Sequence, residues 1–550
     1  MLNYYAFRFK EGLSKIGLGV KSRSQTKPEK TKNTIKKELF NFEHIALYFS
    51  NKKKHNAFQV LSDHTCNDLD FDEVFQFLDR TQSRVGQQYL YDKLRCIKLD
   101  EAQTQEDEVL IERLRKDAVL RSQIQKGLDR LKHKEAYYIS SLFQEEHIQV
   151  PSWFLAIKLL SFTSFCTLIL TFFNPVFFAV LLGVFCVNFV IHYWNKRNLV
   201  KYVSSIPQLF KLNKVANQLL KIEYTKSDDS KILKAVSRIN QLKNRTLFFQ
   251  IEAGIQGDFE IVLWFLLDII KTLFLLEPLF LFGALKRLDR ERVEVETVFK
   301  YVGRIDSLLS VALLRNGLNS WCTPHLSDVN TGVVAKEIYH PLISDCQVNS
   351  IETRERSVLL TGSNMSGKTT FIRTIGINIL SGLTLNTCFA KQMQFRPMRI
   401  LSAIRISDDL MNDKSYYFEE VLRIKALVVA GEETVPNLFL LDELFKGTNT
   451  AERIAAGKAV LSNLAQHGNT VLVSTHDIEL TDLLTEAYEM YHFSEFVAEE
   501  RIIFDYKLKA GKLKNRNAIR ILELNKYPVT LIEEAKKLAA DFDDFKNISD

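Results

Sequence analysis

Between residues 55 and 142, apolar positions recur three and four apart. Phe71, Val74, Phe75 and Leu78 form one set, Tyr89, Leu90 and Leu94 a second, and Val109, Leu110 and Leu114 a third. This period puts an apolar stripe on one face of each segment and predicts core helices. The pattern changes at Ser152. From Ser152 to Phe173, and again from Pro175 to Trp194, the chain is almost continuously apolar, with Lys158 the one charge in the first run and Asn174-Pro175 the break between them. Each run is long enough to cross a hydrocarbon layer of about 30 Å as a helix. We expect a transmembrane hairpin here; a buried hairpin in a soluble core is the competing reading. Lys158 lies near enough to the end of its run for the ammonium to snorkel, and Asn195-Lys196-Arg197 follows the second run. With no charge at the tip and Lys/Arg outside both ends, the positive-inside rule leaves both termini in the cytoplasm.

A third apolar run, Ile261–Leu285, contains Asp268, Lys271, Glu277 and Pro278. Charges at mid-membrane are expensive, so an interfacial or packed helix is expected rather than a crossing. Helical spacing also runs through Tyr202–Asp258 and Arg287–Leu314. Beyond about Ala335 the chain switches to short β-prone runs alternating with helical stretches, which marks a domain boundary near Ser327–Ala335 and an α/β architecture after it. The expected organisation is a basic flexible arm over 1–54, a helical core over 55–150, the hairpin over 151–197, a helical return over 198–330 that includes the apolar segment 261–285, and an α/β domain over 331–550.

Composition adds limits. A chain of 550 residues exceeds what one core usually organises, so two to four units are expected. Phe residues number 39, many of them in one short region, and the net charge of +7 permits nucleic acid or acidic lipid as a partner without requiring either. Lys21–Lys37 is too polar to offset the entropy of folding; an electrostatic contact with phosphate or lipid and a simple solvated tail both fit it. The seven cysteines (Cys66, Cys96, Cys166, Cys186, Cys322, Cys346 and Cys388) show neither metal-ligand spacing nor a disulfide framework and read as reduced. The first residues lack a signal-peptide pattern, so a cytoplasmic N-terminus is expected.

The chemistry sits in the last two-fifths. Ser357–Thr361 is β-prone, and Gly362-Ser363-Asn364-Met365-Ser366-Gly367-Lys368-Thr369-Thr370 follows, leading into the helical pattern Phe371–Leu380. The spacing Gly-x4-Gly-Lys-Thr lets backbone N–H groups wrap phosphates at a helix N-terminus, with Lys368 on the β- and γ-phosphates and the Thr369 hydroxyl on Mg2+. Leu438–Leu441 is an apolar strand ending in Asp442-Glu443; Asp442 suits the Mg2+ shell and Glu443 suits polarising the attacking water. A third strand, Thr470–Val473, ends in Ser474-Thr475-His476, where His476 is placed to sense the γ-phosphate or position water; a purely structural histidine is the alternative. ATP and Mg2+ are the expected ligands.

The series of motifs resembles the MutS family of DNA mismatch-repair ATPases. Gly362–Thr370 is similar to its loop Gly-Pro-Asn-Met-x-Gly-Lys-Ser-Thr, with Ser363 in place of Pro and Thr369 in place of Ser. His340-Pro341, Ser407–Leu410, Ser415–Glu420, Asp442–Thr450, Ser474–His476 and Phe504–Leu508 follow in family order, and Asn67–Asp70 with Thr81–Gly86 resembles the start of the helical core and lever. The resemblance implies a doubly wound P-loop ATPase domain C-terminal to an all-α core and lever, here with a transmembrane helical hairpin. It implies a homodimer with composite ATP sites, in which Ser415 reaches across to the γ-phosphate, and places Cys346–Asn349 against adenine. For the family's mismatch reader, a separate N-terminal domain carrying Phe-x-Glu, no counterpart is expected: little chain precedes the core, and Phe9-Lys10-Glu11 and Phe71-Asp72-Glu73 read as accidental triplets.

A membrane-anchored ATPase facing the cytoplasm, held by residues 152–194 and acting on DNA through basic helices such as Lys211–Lys221 and Lys231–Arg245, is the leading expectation. An ATP-driven switch acting on a protein partner without DNA is the alternative. A transporter ATPase of the ABC class ranks lower, because its Leu-Ser-Gly-Gly-Gln signature is missing and one hairpin is too little membrane for a translocation path.

Overall fold

The computed structural model describes residues 36, 39–54, 56–225, 230–243, 260–327, 332–353, 356–363, 365–405, 416–445, 447–498, 501–513, 519, 522–523 and 527–538. Of the expected arm, residues 1–35 fall outside this set, and Lys36 pairs with Asp79 at 2.8 Å. Within the range expected as arm, residues 42–51 are helical. Helix α1 (Phe42–Asn51) buries Ile45, Tyr48 and Phe49 against the helical core, because those positions recur at helical spacing and Asn41 caps the first turn by accepting from the His44 N–H.

The core continues with α2 (Asp63–Asp68), α3 (Phe71–Leu78), α4 (Arg84–Arg95), α5 (Glu101–Lys116), α6 (Ala118–Leu128) and the short α7 (Ser141–Gln144). Ser62, Ser83, Asp100 and Asp117 each accept a backbone N–H at the start of their helix, which explains why these elements begin where they do. A two-residue ribbon, β1 (Gln59–Val60) with β2 (Cys96–Ile97), closes the α2–α4 unit.

Helix α8 (Phe154–Thr171) and the first half of α9 (Val176–Leu219) form the apolar hairpin. Two windows, Phe154–Thr171 and Val176–Asn195, are long and apolar enough to cross a membrane, and only 17% of each is buried within the protein. Beyond the hairpin, α9 runs on into the helical core, where Tyr202, Ile206, Leu209, Leu212 and Val215 are buried. Helix α10 (Ser230–Lys243) packs beside it.

The third apolar run is broken into α11 (Glu260–Leu273) and α12 (Leu276–Leu288). Leu275 turns the chain in the left-handed region at φ 49°, and Pro278 sits in the first turn of α12, where its missing N–H removes no intrahelical bond. Both helices pack on the hairpin: Ser161 Oγ donates to the Phe274 carbonyl and Asn188 Nδ2 to the Leu273 carbonyl, each at 2.7 Å. Helix α13 (Arg292–Gly317) then returns through the middle of the helical core.

The C-terminal region holds strands β3 (His325–Leu326), β4 (Val334–Ile338), β5 (Asn349–Glu352), β6 (Ser357–Thr361), β7 (Gln392–Phe395), β8 (Arg399–Ala403), β9 (Asn437–Asp442), β10 (Thr470–Ser474), β11 (Tyr488–His492), β12 (Glu495–Ala498), β13 (Arg501–Phe504) and β14 (Lys509–Ala510). The main sheet runs β14-β11-β6-β10-β9-β8; its last five strands are parallel and β14 is antiparallel at the edge. A smaller sheet runs β3-β7-β4-β5.

Alternation along the main-sheet strands separates two cores. Val358 and Leu360 pack with Phe371, Ile372 and Ile375 of α14 (Lys368–Leu385), whereas Leu359, Phe439 and Val473 pack with Ile424 of α15 (Tyr416–Gly431) and Leu461 of α16 (Thr450–Leu464). Helices therefore cover both faces, as parallel strands buried on both sides require. The helical core is seated on the sheet by polar contacts as well as packing. The Gln59 amide exchanges two hydrogen bonds with the backbone of Ile400, at 2.6 and 2.8 Å. Arg315, fully buried at the end of α13, holds Glu108 of α5, the Asn386 carbonyl and Thr387 Oγ1.

Candidate nucleotide site

Strand β6 is buried at every position and ends in Gly362, whose φ of 142° disfavours a side chain. A Cβ there would lie 2.6 Å from the Phe493 carbonyl and 2.9 Å from Ser366 Oγ, so only glycine lets the loop leave the sheet this tightly. Gly367, at φ 107°, ends the loop and starts α14, which directs its first N–H groups back into the loop.

Within the loop, Lys368 is buried and its ammonium donates to the carbonyls of Gly362 and Ser363 at 2.8 and 2.9 Å. Ser366 is buried with its Oγ lacking a hydrogen-bond partner, and Met365 stands exposed at the rim. Thr370 lies in the first turn of α14 beside Thr369. Asn364 lies outside the described residues. A lysine capping its own loop, an unsatisfied hydroxyl and open helix N–H groups fit a phosphate chain, whose oxygens would take over these donors.

Asp442 lies at the end of β9, in contact with both the start of α14 and the end of β10. Its Oδ2 accepts from Thr369 Oγ1 at 2.8 Å and its Oδ1 from Ser474 Oγ. The carboxylate and hydroxyl expected to share Mg2+ are thus already in contact, the donor set such an ion takes. Glu443 follows at φ 52°, its N–H donating to the Ser474 carbonyl at 2.9 Å, and its Oε1 lies 2.8 Å from His476 Nε2. The left-handed turn at Glu443 swings its carboxylate out of the sheet toward the edge where His476 emerges from β10. Arg453 of α16 grips Asp477 with two hydrogen bonds, at 2.9 and 2.6 Å, which anchors the segment just after His476.

The expected residues Gly362, Ser363, Met365, Ser366, Gly367, Lys368, Thr369, Thr370, Asp442, Glu443 and His476 therefore meet at the C-terminal ends of three adjacent parallel strands, where ligands bind in open α/β sheets. Ser415 and Ser407–Leu410 lie outside the described residues. Three participants have no role assigned from the sequence, although Ser474 and Tyr506 stand within motifs named there. Ser474 ties Asp442 to the next strand. Glu495 of β12 accepts from Ser363 Oγ at 2.6 Å. Tyr506 passes beside the loop, its ring 3.4 Å from where a Cβ on Gly367 would be. Asn349 supports Tyr506, donating to its carbonyl at 3.0 Å and accepting from the Leu508 N–H at 2.8 Å. A repeating β-strand pattern marks none of these roles; the sequence signals that touch them are the Ser474–His476 and Phe504–Leu508 motifs.

Strand, glycine loop and helix, with an acidic pair and a histidine on the neighbouring strands, define a P-loop nucleotide hydrolase domain. The family described as MutS domain V matches residues 358–543. The chain is 28% identical over 275 residues to the DNA mismatch repair protein MutS of Geobacillus sp. (strain WCH70), covering 45% of this chain and 31% of that protein. It is 28% identical over 252 residues to MutS of Aquifex pyrophilus, covering 44% and 29%. It is 26% identical over 277 residues to the DNA mismatch repair protein MSH3 of Kluyveromyces lactis, covering 47% and 26%. The C-terminal part of the chain is a MutS-family ATPase domain, and the matched region spans less than a third of the length of these relatives.

Proposed function

We propose that this chain binds and hydrolyses ATP with Mg2+, works as a homodimer with composite sites, is anchored in the cytoplasmic membrane by residues 152–194 with the ATPase domain facing the cytoplasm, and acts on DNA. The observation that carries the catalytic part is Asp442, held at once by Thr369 and Ser474. In this reading Gly362, Ser363, Asn364, Met365, Ser366, Gly367, Lys368, Thr369 and Thr370 bind the phosphates. Thr369 and Asp442 hold Mg2+, which neutralises phosphate charge. Glu443 orients and polarises the attacking water, His476 orients Glu443, and Ser415 completes the site of the neighbouring subunit. The mismatch-repair names of the relatives support DNA as the partner.

A second reading is an ATP-driven switch acting on a membrane-protein partner without DNA. The exposed apolar flanks of α8 and α9 favour it: Phe162, Phe165, Phe178 and Phe189 all point away from the protein. Both readings meet one experiment. The detergent-solubilised chain and its Glu443→Gln variant are titrated with branched, mismatched and plain duplex DNA across salt, with ATP turnover followed in parallel. ATP-gated binding that weakens with salt supports the DNA reading, since phosphate contacts release counterions. Turnover indifferent to every DNA supports the protein partner, and normal turnover by Glu443→Gln overturns the catalytic assignment.

A further inference from the structure

The charges of the third apolar run converge on the hairpin. His192, on α9 two residues before Trp194, is buried, and its Nδ1 lies 3.3 Å from Glu277 Oε2 while its Nε2 lies 3.8 Å from Asp268 Oδ1. Lys271 lies 3.6 Å from Glu277 Oε1. One ligand atom each from His192, Asp268 and Glu277 can be chosen so that all lie within 4.8 Å of one another. Glu277 is almost wholly enclosed and Asp268 is partly exposed, so the cluster opens to one side. The rings of Trp153 and Trp194 meet at 5.1 Å, tilted by 52°, at the end of the hairpin, where an aromatic pair sits well at an apolar–water boundary.

A second observation is independent of the acidic groups. Asn188, His192 and Asn195 follow at helical spacing on α9 and are all buried. Asn188 Nδ2 donates to Ser164 Oγ and to the Leu273 carbonyl, which sets this face against the α11–α12 turn. Asn188 Oδ1 and both polar atoms of Asn195 are buried without a hydrogen-bond partner. Buried amide oxygens without donors are costly and ask for water or an ion.

The geometry points to a divalent transition-metal site at this end of the hairpin, with His192, Asp268 and Glu277 as ligands and Asn188 and Asn195 turned to water carried by the ion. One imidazole nitrogen with two carboxylates is the donor set of Zn2+ and its neighbours, and ligand atoms on a tetrahedral Zn2+ stand roughly 3.3–3.5 Å apart. The 3.3 and 3.8 Å contacts use different nitrogens of the His192 ring, so one ion takes one of them, and the three ligand atoms, all within 4.8 Å of one another, close on it by side-chain shifts. A proton on His192 would serve the two carboxylates equally well but leaves the asparagine oxygens without donors; a hydrated ion serves both. Lys271 competes with the metal for Glu277. This site is separate from the nucleotide loop and needs neither DNA nor a bilayer.

The test uses the full chain in detergent, stripped with chelator and titrated with Co2+, reading its visible d–d bands, with Zn2+ content measured after dialysis. One equivalent of Zn2+ and a tetrahedral Co2+ spectrum are expected. His192→Ala should abolish the spectrum, Asp268→Asn and Glu277→Gln should weaken binding at least 10-fold, and Lys271→Met should tighten it, with helical content unchanged by circular dichroism. Asn195→Ala guards against a folding failure: it should leave the stoichiometry and alter the spectrum. Absence of stoichiometric metal in the wild-type chain overturns the proposal in favour of a proton on His192, as does binding that survives His192→Ala unchanged.

Discussion

The carboxylate of Asp68, at the end of α2, accepts a hydrogen bond at 2.8 Å from Ser402 Oγ on β8, 334 residues further along the chain. The same carboxylate accepts from the N–H groups of Ile404 and Arg405 at 3.0 and 2.8 Å and pairs with Arg423 of α15. It is fully buried, so its charge is stabilised by these donors and by nothing from solvent. Asp68→Asn leaves Arg423 without its counter-charge and turns an amide N–H toward backbone donors. We expect a loss of about 3 kcal/mol in unfolding free energy, measured by denaturant titration. A loss within error would remove Asp68 as the joint between helical core and ATPase domain.

Gly86 and Asp306 form a second joint. Asp306, buried on α13, accepts from the N–H groups of Gln82 and Ser83 at 2.8 Å each and from Ser83 Oγ, and α4 passes so close that a Cβ on Gly86 would lie 2.1 Å from its Oδ2. Gly86→Ala must push α4 away from α13. Despite alanine's better helix propensity, we expect destabilisation of about 2–3 kcal/mol, read as a lowered unfolding midpoint.

His340 predicts a pH dependence. Burial holds its imidazole down to about 4, against the ordinary 6.5, and its Nδ1 accepts from the Leu342 N–H at 3.3 Å, a bond available only to a neutral ring. The unfolded chain takes up this proton near 6.5 and the folded chain resists it, so the contribution is complete above 6.5 and lost as pH falls toward 4. Between pH 7 and pH 5 the wild-type chain should lose about 2 kcal/mol that His340→Asn does not, since the amide oxygen keeps the acceptor and nothing titrates. Parallel denaturation curves at the two pH values decide it.

Lys368→Ala removes the ammonium that now caps the loop carbonyls and would face the phosphates. Nucleotide affinity should fall at least about 100-fold, since a charge-assisted contact to phosphate contributes roughly 3 kcal/mol in such a buried setting. Fluorescent-nucleotide titration measures this, and retained affinity would place the phosphates elsewhere.

Tyr506→Ala strips an aromatic face from the edge of the same loop. If that ring covers the nucleotide base, KM for ATP should rise about 5–10-fold with kcat little changed, while Tyr506→Phe behaves as wild type. A fall in kcat with KM constant would instead assign Tyr506 to shaping the loop.

Much of the nucleotide site was legible because its signals are local. Gly362 to Thr369 spans one turn and one helix start, and Leu438–Asp442 and Thr470–Ser474 are strands whose apolar runs end in polar residues, so spacing alone brings out the strand–loop–helix. The left-handed turn that aims Glu443 at His476, and the hydroxyl of Ser474 on Asp442, are contacts between strand ends and carry no periodic mark.

The helical stretch at Phe42–Asn51 shows the opposite failure. The polar run Lys21–Lys37 lies a few residues ahead of it, and one helix of ten residues gives too short a periodic signal to stand out beside that run.

The sequence by itself determined what depends on neighbours within about ten residues: helical stripes, the two long apolar runs, the glycine loop, and strands that end in carboxylates or histidine. Tertiary structure alone decided which of these meet. Along the chain Asp268, Lys271 and Glu277 are charges inside an apolar run, and only the folding of α11 and α12 onto α9 brings them to His192; Asp68 is one acid among many until β8 and α15 surround it. The reason is physical. A backbone period is repeated along the chain and so can be read from it, whereas the partner of a buried charge is a single side chain whose position is set only when the helices and strands between them have packed.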